Sequence, residues 1–199
     1  MTTTAVDAPT LPILILPARL DHAPAFGSYL VAHMAESGRG GSPHFSVTTR
    51  LTADDVRAAA QERWSRPLGH PNWSRAWLMW TGRPPQRGPA GFHQAPARVV
   101  GHLELRGGRV QAELHRATLA VGMLRPHTGQ GHGRRLIEVA IAWARDEAGL
   151  AYLDLGVFAE NERAKRLYER LGFVEQAVRQ DAYRVDGVAI DEIYMTLAL

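Results

Sequence analysis

The run VGMLRPHTGQGHGRRLIEVAIAWA, residues 121–144, places the tightest limit on what this chain can fold into. Gly129, Gly131 and Gly133 fall on alternate positions. An apolar, strand-like stretch precedes them. Leu136, Val139, Ala140 and Trp143 then recur at i, i+3, i+4 and i+7, one face of a helix. A strand that becomes a helix through glycines suits a phosphate. Free N–H groups converge there, the helix dipole favours anions, and the missing side chains allow close approach to the backbone. A bare connector is the alternative. Three glycines followed by Arg134 and Arg135 favour the anion site. Spacing removes two common phosphate loops. A P-loop ends in Gly-Lys-Ser/Thr, and this turn ends in Gly-Arg-Arg. A dinucleotide fingerprint needs a third glycine where Arg134 stands, and it follows a first strand rather than about 120 residues of chain.

The rest of the chain supplies the frame. LPILILPAR (11–19) reads as a strand, and the following helical pattern has Asp21 as its N-cap. TADDVRAAAQERW is a second helix, with Thr52 and Asp55 forming a near capping box. RAWLMWTG (75–82) is a strand, and the Pro/Gly-rich 83–97 segment a long loop. Residues 98–124 read as two strands joined by a hairpin at Gly107-Gly108. Gly149 stops the helix after the glycine turn, and LAYLDLGVF (150–158) is a strand. NERAKRLYERLGF is a short helix capped by Asn161 and ended by Gly172, with Phe173 folding back on it. Two closing strands turn near Asp186-Gly187. The order β-α-α-β-β-β-α-β-α-β-β predicts an α+β (mixed α/β) fold of about seven strands. Residues 1–10 read as a disordered tail and 11–199 as one domain.

Composition narrows the chemistry. The 199 residues are 45% apolar and 22% charged, with a net charge of +3, and the only lysine is Lys165. That mix is ordinary for a soluble globular protein and gives little support to nucleic-acid binding. The N-terminus lacks the basic start of a signal peptide and no stretch matches a membrane span, so the cytoplasm is the expected location. Without cysteine, thiolate nucleophiles and cysteine metal sites are absent.

TGQGHG resembles the Q/R-x-x-G-x-G/A signature of the GNAT superfamily of acyl-CoA N-acyltransferases. LDLGVFAENERAKRLYERLGFVE resembles the same family's later segment, and the closing DG…DEIYMTLAL fits it too. The resemblance is strong over 99–199 and looser over 11–98. Thr128 departs from it, standing where the family has Gln or Arg.

The resemblance implies acetyl-CoA as co-substrate and no metal. Strands 111–124 and 151–158 would run parallel and splay. Pantetheine would pair with backbone near Val121 and Met123. The pyrophosphate would sit on the turn formed by Thr128, Gly129, Gln130, Gly131, His132, Gly133 and Arg134. Asn161 would approach the thioester end, and Tyr168 would be the acid to the leaving thiolate. The usual base position falls on Ala117, which carries no proton acceptor. His115 and Glu113, two and four residues earlier on the predicted strand face, are the candidate bases, with water or no base as alternatives. The implied reaction is direct transfer of an acetyl group to the primary amine of a small molecule. A protein N-terminal acetyltransferase of the ribosomal-protein alanine type and a non-catalytic acyl-CoA-binding module are the other readings, and a homodimer is allowed. Trp73, Trp77 and Trp80 would be core or an acceptor wall.

Overall fold

Local chemistry sets most element boundaries. Asp186 and Gly187 both take positive φ (51° and 82°), the conformation of a two-residue type I′ turn, and join the last two strands as a hairpin. Thr52 and Asp55 cap reciprocally: the Thr52 hydroxyl accepts the Asp55 N–H at 3.1 Å, and the Asp55 carboxylate accepts the Thr52 N–H at 3.3 Å. Gly149 and Gly172 end their helices with φ of 60° and 92°. This computed structural model describes residues 12–46, 51–84 and 97–199. The predicted tail and most of the 83–97 loop lie outside the described residues.

The elements follow the predicted order. They are β1 (Ile13–Pro17), α1 (Ala23–Met34), α2 (Ala53–Ser65), β2 (Ser74–Thr81), β3 (Arg98–Gly107), β4 (Arg116–Met123), α3 (His132–Asp146), β5 (Tyr152–Phe158), α4 (Glu162–Arg170), β6 (Val174–Val185) and β7 (Val188–Ala198). The seven strands form one mixed sheet in the order β1-β2-β3-β4-β5-β7-β6. Every neighbouring pair is antiparallel except β4 and β5, which run parallel around α3.

Each face of the sheet has its own core. Helices α3 and α4 cover one, with Leu136, Ile137 and Ala140 packed on Leu103, Leu119, Leu155 and Ile193. Helices α1 and α2 cover β1–β3 on the other, with Phe26, Tyr29 and Val56 packed near Leu78 and Trp80. Trp73, Trp77 and Trp80 are all buried as core. Trp77 and Trp80 lie in different cores, as their odd spacing requires.

Several expectations need correction. Asp21 does not cap α1. It lies in a short 3₁₀ turn, and Arg19 holds its carboxylate. The buried stripe of α3 is Leu136, Ile137, Ala140 and Ala144, which leaves Val139 39% exposed. Gly107-Gly108 is not a hairpin turn. The Gly107 N–H donates to Trp73 O, and Gly108 O accepts from the Asn72 N–H. A β-carbon at Gly107 would strike the Trp73 indole, so the glycine serves a close approach. The chain then needs residues 108–115, including a 3₁₀ turn at Gln111–Glu113, before β4 begins at Arg116 rather than at 111.

The parallel pairing is short and clamped. β4 and β5 pair only over Arg116–Thr118 and Tyr152–Asp154. The Arg116 guanidinium forks onto Asp154 at 2.6 and 2.7 Å, and the Thr196 hydroxyl donates to the same carboxylate at 2.7 Å. Three strands are thus tied at one end. Asp154→Ala is expected to lower unfolding free energy by about 1–2 kcal/mol, the scale of partly exposed charged hydrogen bonds, in urea titrations.

Candidate active site

Beyond the clamp the two parallel strands separate. The ladder ends at Thr118 and Asp154, yet β4 runs on to Met123 and β5 to Phe158. On its other side β4 stays paired with β3 through Met123, and the Leu124 N–H donates to Val100 O at 2.9 Å. Alternation along that ladder turns the backbone groups of Leu119, Val121 and Met123 away from β3, toward the gap. The sheet therefore holds an opening whose β4 side offers N–H and C=O groups with no strand partner among the described residues.

Both strands lead from this opening into helix N-termini. After β4 a 3₁₀ turn at Arg125–His127 precedes the glycines. Gly129 and Gly131 adopt φ of 82° and 80°. A β-carbon at Gly131 would meet nothing within 4 Å, so this glycine is required by its left-handed backbone and not by crowding. Its conformation turns the chain into α3, whose first-turn amides have no intrahelical acceptor. The Thr128 hydroxyl donates to Arg125 O and the Gln130 amide to Pro126 O, so both side chains brace the turn. His132 is buried, and neither ring nitrogen has a partner among the described residues. Burial lowers its pKa. A β-carbon at Gly133 would meet Met123 and Leu167 at ordinary contact distance. Arg134 pairs with Glu138 at 2.7 Å. Arg163, which sequence reading passed over, sits beside the turn: a β-carbon at Gly129 would lie 3.3 Å from its guanidinium.

Helix α4 starts at the other bank. The Asn161 side chain accepts the Ala164 N–H at 3.2 Å, the cap its sequence predicted. Two turns on, Tyr168 is buried against Phe173, the rings 5.8 Å apart. Burial pushes its phenol up to about 12, so it stays protonated across the working range.

His115 and Glu113 do not join this constellation. His115 lies in the turn before β4, with Nδ1 3.1 Å from Ala112 O. The Glu113 carboxylate accepts the Arg109 N–H in the same loop. Eight residues of strand, roughly 25 Å at about 3.3 Å each, separate His115 from Met123. The predicted strand face failed because β4 starts after these residues, at its clamped end.

The opposite face of the opening carries other groups. Gly122 on β4 lies under His33 of α1, and a β-carbon there would collide with His33 Nε2. His33 stacks between Tyr29 and Phe45, at ring separations of 5.8 and 4.5 Å. Tyr29 and His102 share a hydrogen bond of 2.9 Å. The segment after α1 is tied to both banks. The Arg125 N–H donates to Glu36, and its guanidinium donates to Arg39 O at 3.1 Å. The His44 N–H donates to Glu160, just past β5, at 3.0 Å.

With this geometry in place, comparison with known proteins is decisive. The acetyltransferase (GNAT) family model matches residues 53–173. The chain belongs to the GNAT acetyltransferase family. It is therefore an N-acetyltransferase by family. Solved structures agree in fold. A Salmonella typhimurium protein with its cofactor acetyl-CoA is 19% identical, with a TM-score of 0.72 over 94% of each chain. A ribosomal-protein-alanine N-acetyltransferase from Brucella melitensis is 20% identical, with a TM-score of 0.69 over 94% of this chain and 99% of that one. A spermidine N-acetyltransferase mutant from Vibrio cholerae is 18% identical, with a TM-score of 0.63 over 93% of this chain and 94% of that one. Among the described residues no helix is long and apolar enough to cross a membrane.

Burial holds His33 down to about 4 and His102 to about 3. Both stay neutral in the folded protein at pH values where an unfolded chain takes up protons, below the ordinary histidine value near 6.5. Stability is therefore expected to fall between pH 7 and pH 5, by on the order of 2 kcal/mol for each ring. Urea titrations at the two pH values check this, and replacing His33 by Gln should flatten the dependence.

Proposed function

We propose that this GNAT protein transfers the acetyl group of acetyl-CoA to the primary amine of a small molecule, directly and without an acyl-enzyme. The observation that carries the proposal is the opening between β4 and β5, continuous with the glycine turn. The unpaired backbone of Val121 and Met123 suits the amides of a pantetheine arm. The left-handed Gly129 and Gly131, the free amides of the first turn of α3 and the nearby Arg163 suit the phosphates. The donor set and the open space beside Gly131 thus fit acetyl-CoA. Thr128, Gln130 and His132 contribute backbone to this cradle, since their side chains are engaged or buried.

The bound thioester supplies an activated acetyl carbon. The chain must hold it, receive an amine beside it and protonate the departing sulfur. Tyr168 stays a neutral phenol and fits the role of that acid. A backbone N–H of the β4 edge, at Val121 or Met123, suits the carbonyl oxygen as it gains charge. Asn161 fixes the start of α4 and so the placement of Tyr168 seven residues on.

A small acceptor fits better than a peptide. The segment after α1 reaches from Arg125 on one bank to Glu160 on the other and narrows access on the α1 face. That favours a bounded pocket over an open groove. The spermidine enzyme shares the fold, which is compatible with a small amine here.

Calorimetry with acetyl-CoA is expected to give saturable heat and a raised melting temperature. Gly131→Val, which forces a β-branched residue into a left-handed conformation, should weaken binding at least about tenfold, while Gly149→Ala should not. Tyr168→Phe should lower turnover by about 10²-fold or more with acetyl-CoA affinity retained. Absence of heat at millimolar acetyl-CoA would contradict the proposal.

A further inference from the structure

Each splayed strand carries one glycine on the α1 face, and each glycine lies under a titratable side chain. Gly122 of β4 lies under His33; Gly156 of β5 lies under Glu192 of β7. Continuing the β4/β5 register past the clamp sets Gly156 level with Ala120, one step inside Gly122. All three floor residues are small.

Glu192 is the more informative of the two covering groups. It is 8% exposed, and its register partner on β5 is Phe158, at the splayed end. A β-carbon at Gly156 would collide with Glu192 Oε1, so the carboxylate lies over β5 at that glycine. It is thereby directed toward β5, the strand that borders the opening, and away from the outer edge of the sheet. The Tyr183 hydroxyl donates to both carboxylate oxygens, at 3.3 and 3.2 Å. The Tyr183 ring packs on Phe158, the centroids 5.3 Å apart. Arg179 lies across the ladder from Glu192 and the two charges attract, but its side chain is hydrogen-bonded to Tyr194 and makes no contact with the carboxylate close enough to be an ion pair. Among the described residues no cationic side chain makes an ion pair with Glu192. A carboxylate this buried, with a neutral hydrogen-bond donor and Arg179 turned to Tyr194, has room for a cation in direct contact.

We propose that Glu192 receives the reacting ammonium of the acceptor and takes its proton, with Tyr183 as the residue that positions the carboxylate. The inference rests on the acetyltransferase reading above and gives it a base on β7, in place of His115 and Glu113. One N–H bond of the ammonium breaks and its proton passes to Glu192, then to solvent. The freed nitrogen pair forms the C–N bond to the thioester carbon. The C–S bond breaks, and its electron pair leaves with sulfur. The thiolate takes a proton from Tyr168, which regains one through solvent from the second proton that nitrogen loses as it becomes an amide. His33 bounds the other side of the pocket as a neutral aromatic wall. The chemical class selected is a primary amine that arrives protonated.

The test uses the full chain and n-butylamine as a minimal acceptor, with three readouts: acetyl-CoA affinity by calorimetry, n-butylammonium binding by NMR titration, and thiol release. Glu192→Gln should keep acetyl-CoA affinity, weaken n-butylammonium binding at least about tenfold and lower kcat/KM at least about 100-fold. The wild-type kcat/KM should be nearly flat from pH 6.5 to 8.5. The Gln variant should gain about tenfold per unit, following free amine in solution. The charged and titratable groups around Glu192 are Tyr183 and Arg179 on β6 and Tyr194 on β7, and His33 covers the other strand of the opening at Gly122, so Tyr183→Phe and His33→Gln are compared. Tyr183→Phe should give a smaller loss with the wild-type pH profile, and His33→Gln should leave that profile flat. Gly156→Ala, which displaces the carboxylate without removing its charge, should reproduce the loss in kcat/KM. Unchanged kcat/KM in Glu192→Gln would overturn the proposal. So would a pH slope acquired by His33→Gln alone, or no thiol release from wild-type protein that binds acetyl-CoA. A wild-type protein that gives no heat with acetyl-CoA would instead overturn the acetyltransferase reading, and this inference with it.

Discussion

The rest of the structure depends on one event in the sheet: two parallel strands that pair for three residues and then part. Arg116, Asp154 and Thr196 hold β4, β5 and β7 together at one end. Beyond them β4 follows β3, and β5 follows β7. A sheet does not normally open along its middle, because backbone groups lose their partners. Here the opening is bounded by complete antiparallel ladders on both outer sides, so the unpaired groups are confined to the two inner edges. The proposed function makes that edge a binding surface and not a fault in the fold.

The two faces of the sheet divide the chemistry. On one, α3 and α4 both begin at the mouth of the opening, where free amides and positive helix ends meet. On the other, α1 and its following segment stand over β4, while Tyr183 and Glu192 stand over β5. In the proposed reaction, the donor's phosphates and the acceptor's ammonium thus reach the same gap from opposite sides. Under that proposal, the separation keeps a polyanionic donor and a cationic acceptor from competing for the same groups.

Much of the frame was legible because it rests on local rules. Thr52 and Asp55, the Asp186-Gly187 turn, the helix stops at Gly149 and Gly172 and the strand-to-helix glycines each act within a few residues. Other features were not legible because they depend on register between distant segments. Gly107-Gly108 reads as a hairpin by composition, yet its first glycine serves a contact with Trp73, 34 residues earlier. His115 shares a strand face with the site only if β4 starts early, and the extra loop moves it to the clamped end. Glu192 has no motif. Its proposed role depends on β7 lying beside β5 and on residue 156 having no side chain to block it. The interruption of an apolar strand by Gly156 was the available signal, and it has meaning only once the neighbouring strand is known.

The central claim is that the β4 edge is unpaired in the free protein and becomes paired by acetyl-CoA. Amide hydrogen exchange of Val121 and Met123, followed by NMR with Ala117 as an internal reference, tests it directly. The account predicts fast exchange at Val121 and Met123 and slow exchange at Ala117 in the free protein, with protection appearing at the first two on addition of acetyl-CoA. Slow exchange at all three in the free protein, or no change at Val121 and Met123 in protein saturated with acetyl-CoA, would contradict it.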